Sequence, residues 1–176
     1  MFRFLLIFFL VLKTSTVFSQ GYDVFGVGVY DVKFDGSSSN YATDYRYERR
    51  FDNTLIDIGP EEDNFFYLKP FAGIEFTSDS AFYLLSGIYL EDNLGELIVG
   101  KKNKWNLTPS FGFGYYDDGD GKKLGNKIEF RTTIEFSYQL ENFDRIGFSF
   151  GHISNANIGS KNPGVEIISI SYQKPF

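Results

Sequence analysis

Residues 126–140 read NKIEFRTTIEFSYQL, and their order decides the fold. One parity carries Ile128, Phe130, Thr132, Ile134, Phe136, Tyr138 and Leu140; the other carries Glu129, Arg131, Thr133, Glu135, Ser137 and Gln139. The period is two rather than 3.6, which is the pattern of a strand with two unlike faces. It is sustained well beyond the usual five or six residues of a soluble strand, and covers the ten or so that a tilted strand needs to cross a bilayer.

The stretch before it alternates in the same way. Trp105, Leu107, Pro109, Phe111, Phe113 and Tyr115 form one row, and Asn106, Thr108, Ser110, Gly112 and Gly114 the other. Periodicity does not say which row faces inward. A soluble barrel turns its apolar row to the core, whereas a membrane barrel turns it to lipid. Composition favours lipid: 19% of residues are aromatic, with 21 Phe, 12 Tyr and 18 Gly, yet the mean hydropathy is only −0.19. A chain that is hydrophobic at every second residue has this profile.

The first residues, MFRFLLIFFLVLKTSTVFSQ, point the same way. Arg3 supplies a positive start, residues 4–12 an apolar run too short to span, and Val17, Phe18 and Ser19 a cleavage site. Residues 1–19 are therefore expected to be a secretory signal peptide, and residues 20–176 a single barrel domain. No later apolar stretch is long enough for a membrane helix. There is no cysteine, so neither a disulfide nor a lipid anchored on an N-terminal Cys is available. The net charge of −6, without a basic run, argues against a nucleic-acid partner.

Runs between turn signals predict strands near 22–31, 41–51, 66–77, 80–91, 103–116, 126–140, 143–154 and 165–176. The fold class expected is all-β, an eight-stranded antiparallel transmembrane barrel of the outer membrane, eight being the smallest such size. TSDS (77–80) and ENFD (141–144) read as short turns, and DGSSSN (35–40), DNTLIDIGPEEDN (52–64), DDGDGKKLGN (117–126) and NANIGSKNPG (155–164) as longer polar loops. With the mature N-terminus in the periplasm, short turns are expected there and long loops outside. Residues 94–103 are longer than that rule prefers. The final strand ends on Phe176, an aromatic closure similar to that of bacterial outer-membrane barrels. Asp44, Arg46, Glu48 and Arg50, with Glu129, Arg131 and Glu135, predict an interior ion-pair network rather than a transport lumen. DDGDG (117–121) lacks the distal acidic ligand of a calcium loop and reads as a solvated turn, so no metal is expected.

The only histidine, His152, lies in GHISNANIGSKNPGVE (151–166). Extending the alternation puts Ile146, Phe148, Phe150, His152 and Ser154 on one lipid-facing row, and Glu166, Ile168, Ile170 and Tyr172 on the next. Three polar residues then meet at the ends of adjacent strands flanking one long loop. Serine, histidine and a carboxylate together are the constellation for nucleophilic acyl transfer: the imidazole takes the serine proton, and the carboxylate fixes the tautomer. The same residues could equally be idle polar groups at the headgroup girdle.

The His-x-Ser-Asn start, the Gly/Asn loop with Lys-Asn-Pro-Gly and the Glu fourteen residues after the His resemble the signature of the lipid A 3-O-deacylase (PagL) family. YDDGDG…IEFR (116–131) and the terminal aromatic are similar too, so the resemblance covers about the last 75 residues. It implies an outer-membrane serine esterase that hydrolyses the 3-O-linked acyl chain of lipid A without a cofactor. It further implies His152 as base, Ser154 as nucleophile and Glu166 as acid. Asn162, with Asn155 and Asn157, falls at oxyanion or supporting positions, Asn157 standing where the family has a small residue. Phe148, Phe150, Ile168 and Ile170 are candidates for acyl-chain contact. The expected partner is lipopolysaccharide of the outer leaflet, with a homodimer as a further expectation. The alternatives are a non-enzymatic small barrel, structural or partner-binding, and acyl transfer to another lipid.

Overall fold

The computed structural model describes residues 21–34, 41–57 and 67–176; the expected signal peptide lies outside the described residues. Eight long strands carry the fold: β1 (Tyr22–Tyr30), β2 (Ala42–Arg50), β3 (Tyr67–Thr77), β4 (Phe82–Tyr89), β5 (Trp105–Asp117), β6 (Ile128–Gln139), β7 (Arg145–Ser154) and β8 (Val165–Pro175). Each pairs antiparallel with its sequence neighbours, and β8 returns to β1 in the register Tyr22↔Pro175 through Tyr30↔Ile167. The sheet is therefore closed and has no free edge, which is what a bilayer demands of strands.

The two rows read from the sequence face as expected. Phe25, Val27, Phe111, Phe136, Phe148 and Ile170 are exposed on the outer wall, while Asn106, Thr108, Arg131, Glu135, Ser149 and Ser171 are buried within. Leu107 and Pro109 complete the outer row of β5. The residue-by-residue alternation of β6 from Ile128 to Ser137, every inner residue buried and every outer one exposed except the half-buried Phe130, is the same pattern seen in space.

The interior is filled rather than hollow. Arg50 reaches Glu135 at 2.6 Å and Glu48 at 3.0 Å, Arg46 reaches Glu135 at 3.1 Å, and Arg131 bridges Glu48 and Glu75. Gln173 and Ser171 add hydrogen bonds to Glu135 at 2.8 and 3.1 Å. Three guanidinium groups thus meet three carboxylates. Two expected members stand apart from this network: Glu129 accepts from Asn155 instead, and both carboxylate oxygens of Asp44 lack a hydrogen bond. Glu75 takes its place in the network; the alternation around it is interrupted by Lys69 and Pro70, so the sequence did not single it out.

Toward one end the polar interior gives way to an apolar plug including Tyr30, Tyr83, Leu124, Ile153 and Val165. There Tyr30 Oη and Tyr116 Oη lie 2.7 Å apart, and Tyr83 donates to the Glu129 carbonyl. The two rims differ from the expected pattern in one respect. The short 78–81 turn lies at the same end as the long 118–127 loop: the Asp120 amide donates to the Asp79 carbonyl at 2.8 Å. Turn length therefore does not sort the two ends in the first half of the chain, although strand direction does. At the opposite rim, residues 92–104 form a two-residue bridge to β5 and a short helix α1 (Leu94–Val99), capped by Asn93 and closed by Gly100 at φ 67°. That elaboration accounts for the extra length there.

Candidate active site on the outer wall

β7 ends at Ser154 and β8 begins at Val165, so the 155–164 loop joins them at the rim that also carries the 118–127 loop. Antiparallel pairing puts Glu166 directly across from His152, and Thr132 of β6 directly across on the other side. One rung of the barrel thus reads Phe111, Thr132, His152, Glu166, and the next toward the rim reads Phe113, Phe130, Ser154. The parity that makes Phe148 and Phe150 lipid-facing makes His152 and Ser154 face outward as well.

His152 Nδ1 lies 3.2 Å from Glu166 Oε1. Both side chains are half-exposed, at 40% and 28%, so water and a membrane lipid can both reach them. An outward groove runs past the pair, lined by Phe111, Phe130, Thr132, His152, Ser154 and Ala156. The serine hydroxyl and the imidazole border this groove without a hydrogen bond between them, a looseness common before substrate is bound.

The loop that leaves Ser154 is sharply folded. Ala156 and Asn157 have φ of 52° and 64°, and the Ile158 amide donates to the Asn155 carbonyl at 3.0 Å. Positive φ at both central residues is the I′ pattern, which Asn tolerates and Gly prefers. The small residue expected at position 157 therefore has a backbone reason, and Asn157 meets it. Its side chain is exposed.

Asn155 points inward and is fully buried. Its amide nitrogen donates to the Leu124 carbonyl at 2.9 Å and the Lys161 carbonyl at 2.8 Å, tying two loops together, with Glu129 Oε1 a longer third contact at 3.4 Å. Strand parity turns the Asn155 side chain into the barrel, where it supports the loops behind Ser154. Its backbone amide donates to Asn162 Oδ1 at 3.0 Å, so Asn162 is fixed beside the end of β7 with its Nδ2 hydrogens still to give. Gly164, at φ 58°, packs against the ring: a Cβ there would sit 2.8 Å from His152 Cε1. Sequence reasoning passed over Gly164, Phe111 and Phe130, because only the register shows which residues border the imidazole. Phe148, Phe150, Ile168 and Ile170 lie on the outer wall below His152 and Glu166, Phe150 opposite Ile168 and Phe148 opposite Ile170.

The family model described as "Lipid A 3-O-deacylase (PagL)" matches residues 93–175, which include every residue of this site. The "Lipid A deacylase PagL" of Bordetella bronchiseptica (strain ATCC BAA-588 / NCTC 13252 / RB50) is 34% identical over 55 residues. That match spans 31% of this chain and 31% of the length of that relative. Among solved structures, the crystal structure of the outer membrane enzyme PagL superimposes with a TM-score of 0.64 at 17% identity, covering 88% of this chain and 99% of the other. A de novo designed transmembrane β-barrel superimposes at 0.57 and 13% identity, covering 93% and 100%. Both structural likenesses speak to the fold.

Proposed function

We propose, from the premise that the chain belongs to the PagL family through residues 93–175, that it is an outer-membrane serine esterase removing the 3-O-linked acyl chain of lipid A. The observation that carries this reading is the rung joining His152 to Glu166 on the lipid-facing wall, with Ser154 two residues further toward the rim.

In this reading Glu166 holds the Nδ1 hydrogen of His152, leaving Nε2 free to take the Ser154 proton. Oγ then attacks the ester carbonyl, and the charge that develops on the carbonyl oxygen is met by the Asn162 amide. His152 returns the proton to the departing sugar oxygen, leaving an acyl-serine. Water, deprotonated by the same imidazole, attacks that ester and releases the fatty acid with Ser154 restored. An outward site suits this chemistry, since the ester of a lipid in the outer leaflet lies where headgroup meets acyl chain. The groove beside Phe111 and Phe130 then takes one acyl chain, and the wall of Phe148, Phe150, Ile168 and Ile170 contacts its neighbours.

The test is mass spectrometry of lipid A from cells expressing the protein or its Ser154→Ala variant. The expected result is a lipid A lighter by one acyl chain with the parent protein and full-mass lipid A with the variant, which still folds as a barrel. Equal deacylation by both would remove Ser154 as nucleophile.

A further inference from the structure

Above the groove, at the rim, lies a second hollow lined by Asp118, Lys123, Gly125, Asn126, Lys127 and Lys161. Lys127 is three residues beyond Phe130 toward the rim, and Phe130 is paired with Ser154. At about 3.3 Å per residue the hollow therefore begins roughly 10 Å above the serine, on the same side of the barrel. From the membrane outward the wall reads apolar groove, then hydroxyl and imidazole, then ammonium groups. An amphiphile with an acyl chain, an ester and an anionic sugar headgroup has the same order.

The hollow is built on a rigid floor. Asn155 binds the Leu124 and Lys161 carbonyls at once, and Gly125, at φ 97°, has no room for a side chain, since a Cβ would sit 2.4 Å from the Lys161 carbonyl oxygen. The two loops thus meet backbone to backbone. Three ammonium groups line the hollow against the single carboxylate of Asp118. Lys127 is paired with Asp117 at 2.7 Å, whereas Lys123 and Lys161 have no ion-pair partner among the described residues. In a chain of net charge −6, two unpaired cations beside the site mark a place for an anion.

We infer that this hollow docks a phosphomonoester on the sugar headgroup of the lipid whose ester meets Ser154, with Lys123 and Lys161 as the specificity-determining cations. The inference rests on the deacylase reading for the identity of the lipid. Continuity with the acyl groove favours a lipid headgroup over free phosphate.

Binding separates this inference from turnover. The Ser154→Ala barrel, in detergent micelles, is titrated with lipid A and with the same lipid A after phosphatase treatment. Two exposed contacts predict about tenfold tighter binding of the phosphorylated lipid, a preference that shrinks as salt is raised. Adding Lys123→Gln and Lys161→Gln is expected to bring the two affinities together, and the Arg pair to keep them apart. Equal affinities in the Ser154→Ala barrel, or a preference surviving in the Gln pair, would overturn the docking. Inorganic phosphate at the lipid's own concentration is expected not to displace it; displacement would overturn the headgroup assignment. Failure of the parent protein to hydrolyse lipid A would sink the esterase reading instead, and leave these affinities to judge the hollow alone.

Discussion

Gly164 sits where φ is 58° and where a methyl group would press on His152 Cε1 at 2.8 Å. Both facts bear on Gly164→Ala. The left-handed backbone costs an L-residue about 1–2 kcal/mol, and the added methyl pushes the imidazole from the place Glu166 holds for it. A base displaced by about 1 Å can cost around 10²-fold in rate. The expected outcome is a large fall in kcat with little change in KM, measured on purified protein in micelles alongside Ser154→Ala as a blank. Gly164 also shows what a sequence conceals. His152, Ser154 and Glu166 were legible because each interrupts an apolar row, whereas a glycine interrupts nothing. Its contact with the ring exists only once the 155–164 loop has folded back across β7.

At the scale of strands and loops, alternation told which face each residue of β5 to β8 occupies, and the outer and inner rows came out as read. It could not give the rungs. Phe130 beside Ser154 and Thr132 beside His152 depend on a stagger between strands that only hydrogen bonding fixes. Asn155 is the converse case. Its position in the motif suggested an oxyanion or supporting role without saying which, and parity one residue past Ser154 turns it inward, where it fastens two loops. A second fastening joins the end of β1 to the 118–127 loop: Asp31 accepts from Lys122 at 2.5 Å and lies 3.3 Å from Lys33. Burial pushes the Asp31 carboxyl up, but the two ammonium groups outweigh it and hold it below the usual carboxylate range. A carboxyl lowered on folding adds stability above its unfolded value, near 4, and loses it as pH falls through the folded value. The neighbouring Val32 amide, which donates to the Glu166 carbonyl at 3.0 Å, reports on this clamp. Its protection from hydrogen exchange is expected to hold at neutral pH and to fall on acidification below about 4.

Across the whole molecule, Glu135 is the hub of the interior, taking hydrogen bonds from Arg46, Arg50, Ser171 and Gln173. Glu135→Leu leaves the buried guanidinium groups of Arg46 and Arg50 with Glu48 as their remaining shared carboxylate. The expected loss is up to about 3–5 kcal/mol, seen as a lower urea midpoint for the folded barrel in micelles; an unchanged midpoint would mean that Glu48 alone compensates both guanidinium groups. The general character of this core was readable, since Arg46, Glu48, Arg50, Arg131 and Glu135 all fall on inner rows. Its exact membership was not, because Glu75 lies in a strand whose pattern is broken and Asp44, although on an inner row, forms no ion pair among the described residues.

For the esterase proposed above, the outward placement of the rung has a consequence for how it meets its target. A site on the flank of a cylinder is approached sideways, by molecules already lying in the same sheet, and never from the solution above. Encounters are then governed by how crowded the leaflet is and how fast its members drift past one another. Rate follows the surface fraction of the right lipid, and diluting it among inert neighbours slows the reaction even when the amount in the tube is unchanged.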